Sequence, residues 1–398
     1  MYPNPYPNIE LSAENILPLK RRLVYGATDI TKFIASDKTP PEFSKMVLYM
    51  VGDTHTLDNA CTKPNPVALD EFLIDQIKTS PAKTIDLFLE IDPYGIENNF
   101  GTNFIVSLSR KLYHCLGKDK SLCNYEKLRA HYTDMRHLAF PQNSFLYHVH
   151  HILLHLVNFV TEPIFQHSED KETVARSLEN FKEQLGNGSF KNLESYRAHY
   201  SENGISMLEI LQHNIEFMES ADFYKITKQI DNAPELIREK LRNILHDTSQ
   251  NRPIFQLIVA ALPILNELAI LSQCAKETLV EKIICYAPRL REIHRAITGS
   301  LLSKYMDVYL LARIFRTYKT VKFKRSLKPA KNVIILAGKY HLNNYELFFK
   351  NLGFVIENRA ESSLVKSDKF SVYTGSYDCV YLRDFNLPFF SNKPNNLL

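Results

Sequence analysis

A chain of 398 residues, 45% apolar and 23% charged, has material for one large or two ordinary soluble domains with a real core. Its net charge of +4 is too small for a nucleic-acid footprint. Six cysteines, at 61, 115, 123, 274, 285 and 379, form no C-x-x-C pair, which argues against a zinc ribbon or disulfide framework and for reduced thiols in an intracellular, cytoplasmic setting.

The start, Met-Tyr-Pro-Asn-Pro-Tyr-Pro-Asn, has neither the basic segment nor the apolar run of a signal peptide and reads as an extended arm, residues 1–40. Within 9–40 a short helix over Ser12–Leu19 and a loop closing at Pro40-Pro41 are expected. Met46–Val51 is an unbroken apolar run, the signature of a strand buried on both faces; Gly52, Asp53, Thr54 and His55 follow at once. Helical spacing of Val67, Leu69, Phe72, Leu73 and Ile77 predicts a helix from Asn65 to Lys78, ended by Pro81. The strand over 84–92 then puts Glu90 and Asp92 at its tip. A right-handed crossover is expected to lay it beside 46–51, with Glu90 next to His55. A helix over 103–116 and a strand over 128–137, bearing Asp134, Arg136 and His137, complete the first half of an α/β core, 41–143.

From Ser144 to Tyr318 helical patterns dominate, among them Pro234–His246, Glu277–Tyr286 and Leu290–Phe315. This reads as an all-helical insertion, 144–318. Its most apolar run, Pro253–Asn266, is charge-free for only fourteen residues, too short to span a bilayer. A basic linker, Lys319–Lys331, leads into Asn332-Val-Ile-Ile-Leu-Ala-Gly-Lys-Tyr-His-Leu, which repeats the first design: apolar strand, Gly338, two residues, His341. A helix over Leu342–Phe354, a last strand at 378–383 and a loose tail, 391–398, close the second half of the core, 319–390. The fold class is α/β, a mixed or mainly parallel sheet with flanking helices and a large helical insertion.

Gly-Asp-Thr-His (52–55), Phe-Leu-Glu (88–90), Asp-Met-Arg (134–136) and Gly-Lys-Tyr-His (338–341), each at a predicted strand end, together resemble the Gly-x-x-His superfamily. That group joins the TraB/PrgY proteins, the TIKI metalloproteases, the erythromycin esterases and the ChaN-like proteins. The Tyr-, Phe-, Lys- and Asn-rich, tryptophan-free texture looks like a large-DNA-virus version, which implies host cytoplasm or virion. The resemblance covers about 44–140 and 305–383. It implies that His55, Glu90 and His341 hold a divalent metal (manganese, cobalt or zinc) as in the TIKI-like members, or activate water without metal as in the esterase-like ones. It further implies that Arg136 orients the carboxylate or holds a developing anion.

The chemistry is sound from below. Two imidazoles and a carboxylate leave an open coordination position for a water nucleophile. Without metal, a histidine polarised by Glu90 is a general base and Arg136 an oxyanion partner. Asp53, Asp92 and Asp134 then serve as supporting groups around them. The expected function is hydrolysis of a peptide or a small ester or amide; the alternative is a non-catalytic ligand-binding or virion-associated protein that keeps the fold. Against each site residue stands a plain structural role: strand-end histidines satisfied by backbone, a solvated glutamate, an arginine paired with Asp134 or Asp92. Lys339, inside the second motif, sets an ammonium where a cation would bind and counts against the metal. His148, His151 and His155 lie on one helical face, but without a zincin glutamate they read as packing. Asp307 and Arg313, on the helix that leads to the second motif, read equally as site neighbours or as a helix ion pair.

Overall fold

The computed structural model describes residues 23–53, 61, 63–91, 104–116, 122–134, 228–247, 276–296, 303–316, 330–362, 364–365, 376–377 and 379–391, and six positions between 256 and 267. The chain divides into two compact units, Met1–Thr133 with Ala330–Leu398, and Asp134–Pro329.

The first unit is built on a six-stranded mixed sheet in the order β6-β5-β7-β3-β2-β8. Its strands are β2 (Ala27–Ala35), β3 (Val47–Asp53), β5 (Ile85–Leu89), β6 (Leu128–Tyr132), β7 (Asn332–Gly338) and β8 (Phe354–Glu361). Short strands β1 (Leu23–Tyr25), β4 (Val67–Ala68) and β11 (Val380–Tyr381) form a small separate sheet, and β9 (Leu364–Val365) pairs with β10 (Ser376–Tyr377). Neighbours among β6, β5, β7 and β3 pair in parallel; β2 runs antiparallel to both β3 and β8. The two strands that precede the Gly-x-x-His motifs are adjacent and aligned from Val47↔Asn332 to Asp53↔Gly338. The expected adjacency of β5 and β3 does not hold, because β7 lies between them. A crossover can skip one strand position, and the vacancy is filled from more than two hundred residues downstream, where local pattern cannot report it.

Helices cover both faces. On one, α1 (Leu69–Thr79) buries Leu69, Phe72, Leu73, Gln76 and Ile77, a stripe at helical spacing. They pack with α2 (Phe104–Lys111), α3 (Tyr113–Leu116) and the strand residues Tyr49, Val51, Leu87, Leu89, Ile334 and Leu336. Each such side chain contributes about 1.5–3 kcal/mol on burial, so Phe72→Ala alone removes a sizeable share of the unit's stability. The C-terminal segment belongs to this layer as well. Phe389 stacks on Tyr49 at 3.8 Å, its N–H donates to Gln76 Oε1 and its carbonyl accepts from Ser80 Oγ.

On the other face lies α7 (Lys339–Asn351), with Phe349 against Phe33 at 5.9 Å. The expected start at Leu342 is three residues late: the helix begins at once after β7, which puts His341 on its first turn. It ends at Gly353, whose φ of +88° only glycine adopts cheaply. A Cβ there would lie 2.6 Å from the Lys38 backbone carbon.

Residues 27–35, expected to be loop, form the long strand β2. The expected helix over 12–19 lies outside the described residues. The expectation of reduced thiols is also overturned: Cys61 bonds to Cys379 and Cys115 to Cys123, with Cα separations of 5.0 and 4.7 Å. The first pair lies 318 residues apart, so only the fold brings it together.

Described by itself, the second unit shows α4 (Glu235–His246), α5 (Lys276–Arg295) and α6 (Ser303–Ile314). Helix α5 runs through Pro288, where two separate helices were expected. Helix α6 is buried on nearly every side, and Arg313 donates to the Tyr309 hydroxyl one turn back. Among the described residues no helix is long and apolar enough to cross a membrane.

Candidate functional site

Three parallel strands end side by side, β5 at Leu89, β7 at Gly338 and β3 at Asp53, the edge where open α/β sheets place ligand crevices. Glu90 is fixed by the ladder: its N–H donates to the Leu336 carbonyl at 3.0 Å, one pair beyond β5. The Leu89 carbonyl accepts from the Thr133 N–H at 2.9 Å and from Thr133 Oγ1 at 2.8 Å, which ties the tip of β6 to that of β5. Strand ends tied at both edges give Glu90 a defined backbone from which to project.

Its carboxylate reaches across β7. The Gly338 N–H donates to Glu90 Oε2 at 2.6 Å, and His341 Nε2 lies 3.3 Å from Glu90 Oε1. The two side chains are only 5% and 6% exposed, so Glu90 is not the solvated strand terminus that its position alone allows. Gly338 is the N-cap of α7, and the Glu90 carboxylate accepts from its own N–H, the bond that the glutamate of a capping box makes, here from the neighbouring strand. One oxygen is therefore held by backbone and the other turned to the imidazole. Tyr345, one turn along, stacks on the His341 ring with centroids 6.2 Å apart.

Asp53, opposite Gly338 in the register, is buried at 3% exposure on the other flank of β7. Asp134 directly follows Thr133. Thus Glu90, His341 and Asp53 gather around the end of β7. His55, Asp92 and Arg136 lie outside the described residues, as do His148, His151 and His155 and most of the basic linker. Among the described residues no group of three or more His, Cys, Asp or Glu side chains is placed to hold a metal ion.

The donor pair nonetheless fits one. Ligands at about 2.0–2.2 Å from a tetrahedral ion stand about 3.4 Å apart. The 3.3 Å between His341 Nε2 and Glu90 Oε1 is compatible with that spacing, as it is with a long hydrogen bond between the two.

Lys339 is ion-paired. Its ammonium lies 3.1 Å from Asp29 Oδ1 and 3.8 Å from Glu361 Oε1, on the β2–β8 side. Asp29 gave no signal in the sequence, sitting in a polar run without alternation. The Gly338 amide was missed differently: the glycine stood out as a strand stop, whereas its N–H is what holds Glu90. A comparison with family models, curated proteins and solved structures finds no match to this chain.

Proposed function

We propose that this chain is a hydrolase of an amide or ester bond, with water activated at the carboxyl ends of β3, β5 and β7. The observation that carries the proposal is the buried Glu90–His341 pair, held by the Gly338 amide at the edge where the two Gly-x-x-His strands end together. His341, Glu90 and, by its place in the first motif, His55 would hold a divalent ion, which when bound would supply a water of lowered pKa and an electrophile. Glu90 keeps one carboxylate oxygen on the Gly338 N–H, so it presents the other in a single orientation. His341 is oriented by its place on the first turn of α7 and by the ring of Tyr345. Near-complete burial of the pair strengthens each charge interaction it makes. Arg136, two residues beyond Asp134, is the candidate for the developing oxyanion. The substrate class is a peptide or a small ester or amide.

The test is zinc, cobalt and manganese affinity of the purified chain, followed by hydrolysis of peptide and p-nitrophenyl ester substrates. About one ion per chain is expected, lost in the His55→Ala/His341→Ala double variant, with hydrolysis at least about a thousandfold slower in Glu90→Gln. Equal metal content and equal rates in all three proteins would sink the proposal.

A further inference from the structure

Lys339 lies two residues before His341, at the first helical position after β7. An ammonium free at that end of the sheet would oppose any cation held by His341 and Glu90 and would compete for the Glu90 carboxylate. In the structure that charge is paired instead, 3.1 Å from Asp29 Oδ1. In the order β5-β7-β3-β2-β8, Glu90 lies one strand to one side of β7 and Asp29 two strands to the other. Both side chains reach inward, Glu90 to the Gly338 N–H on β7 and Asp29 to beside Gly52 on β3, so the two carboxylates flank the end of β7 from opposite sides.

We infer that Asp29 is a positioning residue, which holds and neutralises the Lys339 ammonium on the β2 side of β7 and so keeps the Glu90–His341 pair competent for a cation. The inference rests on the proposed function.

Four features are built toward this placement. The register of β2 against β3 shifts between Ala27 and Ile30, a bulge that covers Thr28 and Asp29. Bulges re-aim side chains beside functional edges. The bulged carbonyl of Thr28 is satisfied from β8's end, by the Ser362 N–H at 2.9 Å and its hydroxyl at 3.0 Å. Asp29 is 4% exposed, and Thr28 Oγ1 donates to its Oδ1 at 2.7 Å. Last, Gly52 clears the space. A Cβ on Gly52 would lie 1.9 Å from Thr28 Oγ1 and 2.5 Å from Asp29 Oδ1. The first motif's glycine thus has a physical reason that its position before His55 does not reveal: it admits the carboxylate that restrains the lysine of the second motif. Glu361, 3.8 Å from Lys339 and more exposed, adds to the same acidic side.

The experiment is a four-protein cycle on the full chain: wild type, Asp29→Asn, Lys339→Met and Asp29→Asn/Lys339→Met. Zinc affinity is measured by calorimetry, p-nitrophenyl acetate hydrolysis in parallel, and thermal melting confirms that each is folded. Asparagine keeps an acceptor for the Thr28 hydroxyl, so Asp29→Asn removes charge with little change of shape. Asp29→Asn is expected to bind zinc about tenfold more weakly, Lys339→Met to bind as well as wild type, and the double variant to recover wild-type affinity within about twofold. Recovery is the decisive arm, because a merely structural Asp29 would leave the double variant as weak as the single one. Wild-type affinity in Asp29→Asn overturns the inference and leaves the proposed function standing. A wild type that neither binds zinc nor hydrolyses the ester overturns both.

Discussion

Among its described residues the first unit has two buried carboxylate–histidine clusters, one at each end of β5, and they are built differently. Asp86, 1% exposed, is saturated by fixed strand neighbours. Arg129 donates to both its oxygens, at 2.6 and 2.5 Å, and His131 Nε2 lies 3.2 Å from Oδ1. His131 in turn stacks on Phe88 at 4.6 Å. All four residues alternate onto one face of paired strands, in register Asp86↔Arg129 and Phe88↔His131. Glu90, four residues on, accepts from the Gly338 amide and stands 3.3 Å from the His341 imidazole, at the carboxyl ends of three parallel strands. A carboxylate whose acceptor sites are filled by cross-strand partners holds a fold together. One at the carboxyl ends of three parallel strands stands where open α/β sheets place ligand crevices, the position that the proposed function uses. Burial, a histidine and its distance (3.2 against 3.3 Å) do not separate the two; location and the arginine on Asp86 do.

The comparison is broken most directly by deleting each carboxylate and reading stability. Asp86→Ala leaves the Arg129 guanidinium, whose side chain is 18% exposed, without its counter-charge and is expected to cost about 3 kcal/mol. Glu90→Gln keeps an oxygen for the Gly338 N–H and is expected to cost less than about 1 kcal/mol, while removing the function proposed above. Urea unfolding of both variants beside wild type measures this. Equal losses would erase the distinction between a structural and a functional cluster.

A smaller effect is expected at Gly52, which belongs to neither cluster but sets the boundary of the second. Gly52→Ala forces the new methyl against Thr28 Oγ1 and Asp29 Oδ1 and is expected to cost about 2 kcal/mol, by displacing those side chains. A loss below about 0.5 kcal/mol would mean that the Thr28–Asp29 arrangement yields easily, and the glycine would then have no such reason.

Strands β3, β5 and β7 were legible because each is an apolar run buried on both faces, and the chemistry-bearing residues stand at their ends where the run stops. Strand β2 was not, for the reverse reason. Its Thr28, Asp29, Thr31 and Lys32 are all buried, and it shows neither apolar continuity nor clean alternation. These polar groups are accommodated by partners from distant sequence: Lys32 pairs with Glu357, Asp29 with Lys339, and Thr31 accepts from Arg359. Nothing within ten residues announces those partners. The same holds for the insertion of β7 between β5 and β3 and for the Cys61–Cys379 bond. In the candidate site, the residue types and strand ends were readable; the pairing of Lys339 with Asp29 was not, since it depends on a bulge two strands away.

The weakest of the expected effects concerns pH, and it bears on the saturated cluster alone. Burial pushes the Asp86 carboxyl up, but hydrogen bonds from His131 and Arg129, and their charges, outweigh it and hold the group below the usual carboxylate range. A folded-state pKa below the unfolded one means that the unfolded chain binds the proton more readily. The resulting stabilisation is fully present above the ordinary aspartate value near 4 and is lost as pH falls toward and through the depressed folded value. Urea midpoints measured from pH 6 down to pH 3 are therefore expected to fall more steeply for wild type than for Asp86→Asn, with the curves converging at the acid end. Parallel curves would show that Asp86 contributes no proton-linked stability, and its cluster would then differ from that of Glu90 in geometry but not in energetic role.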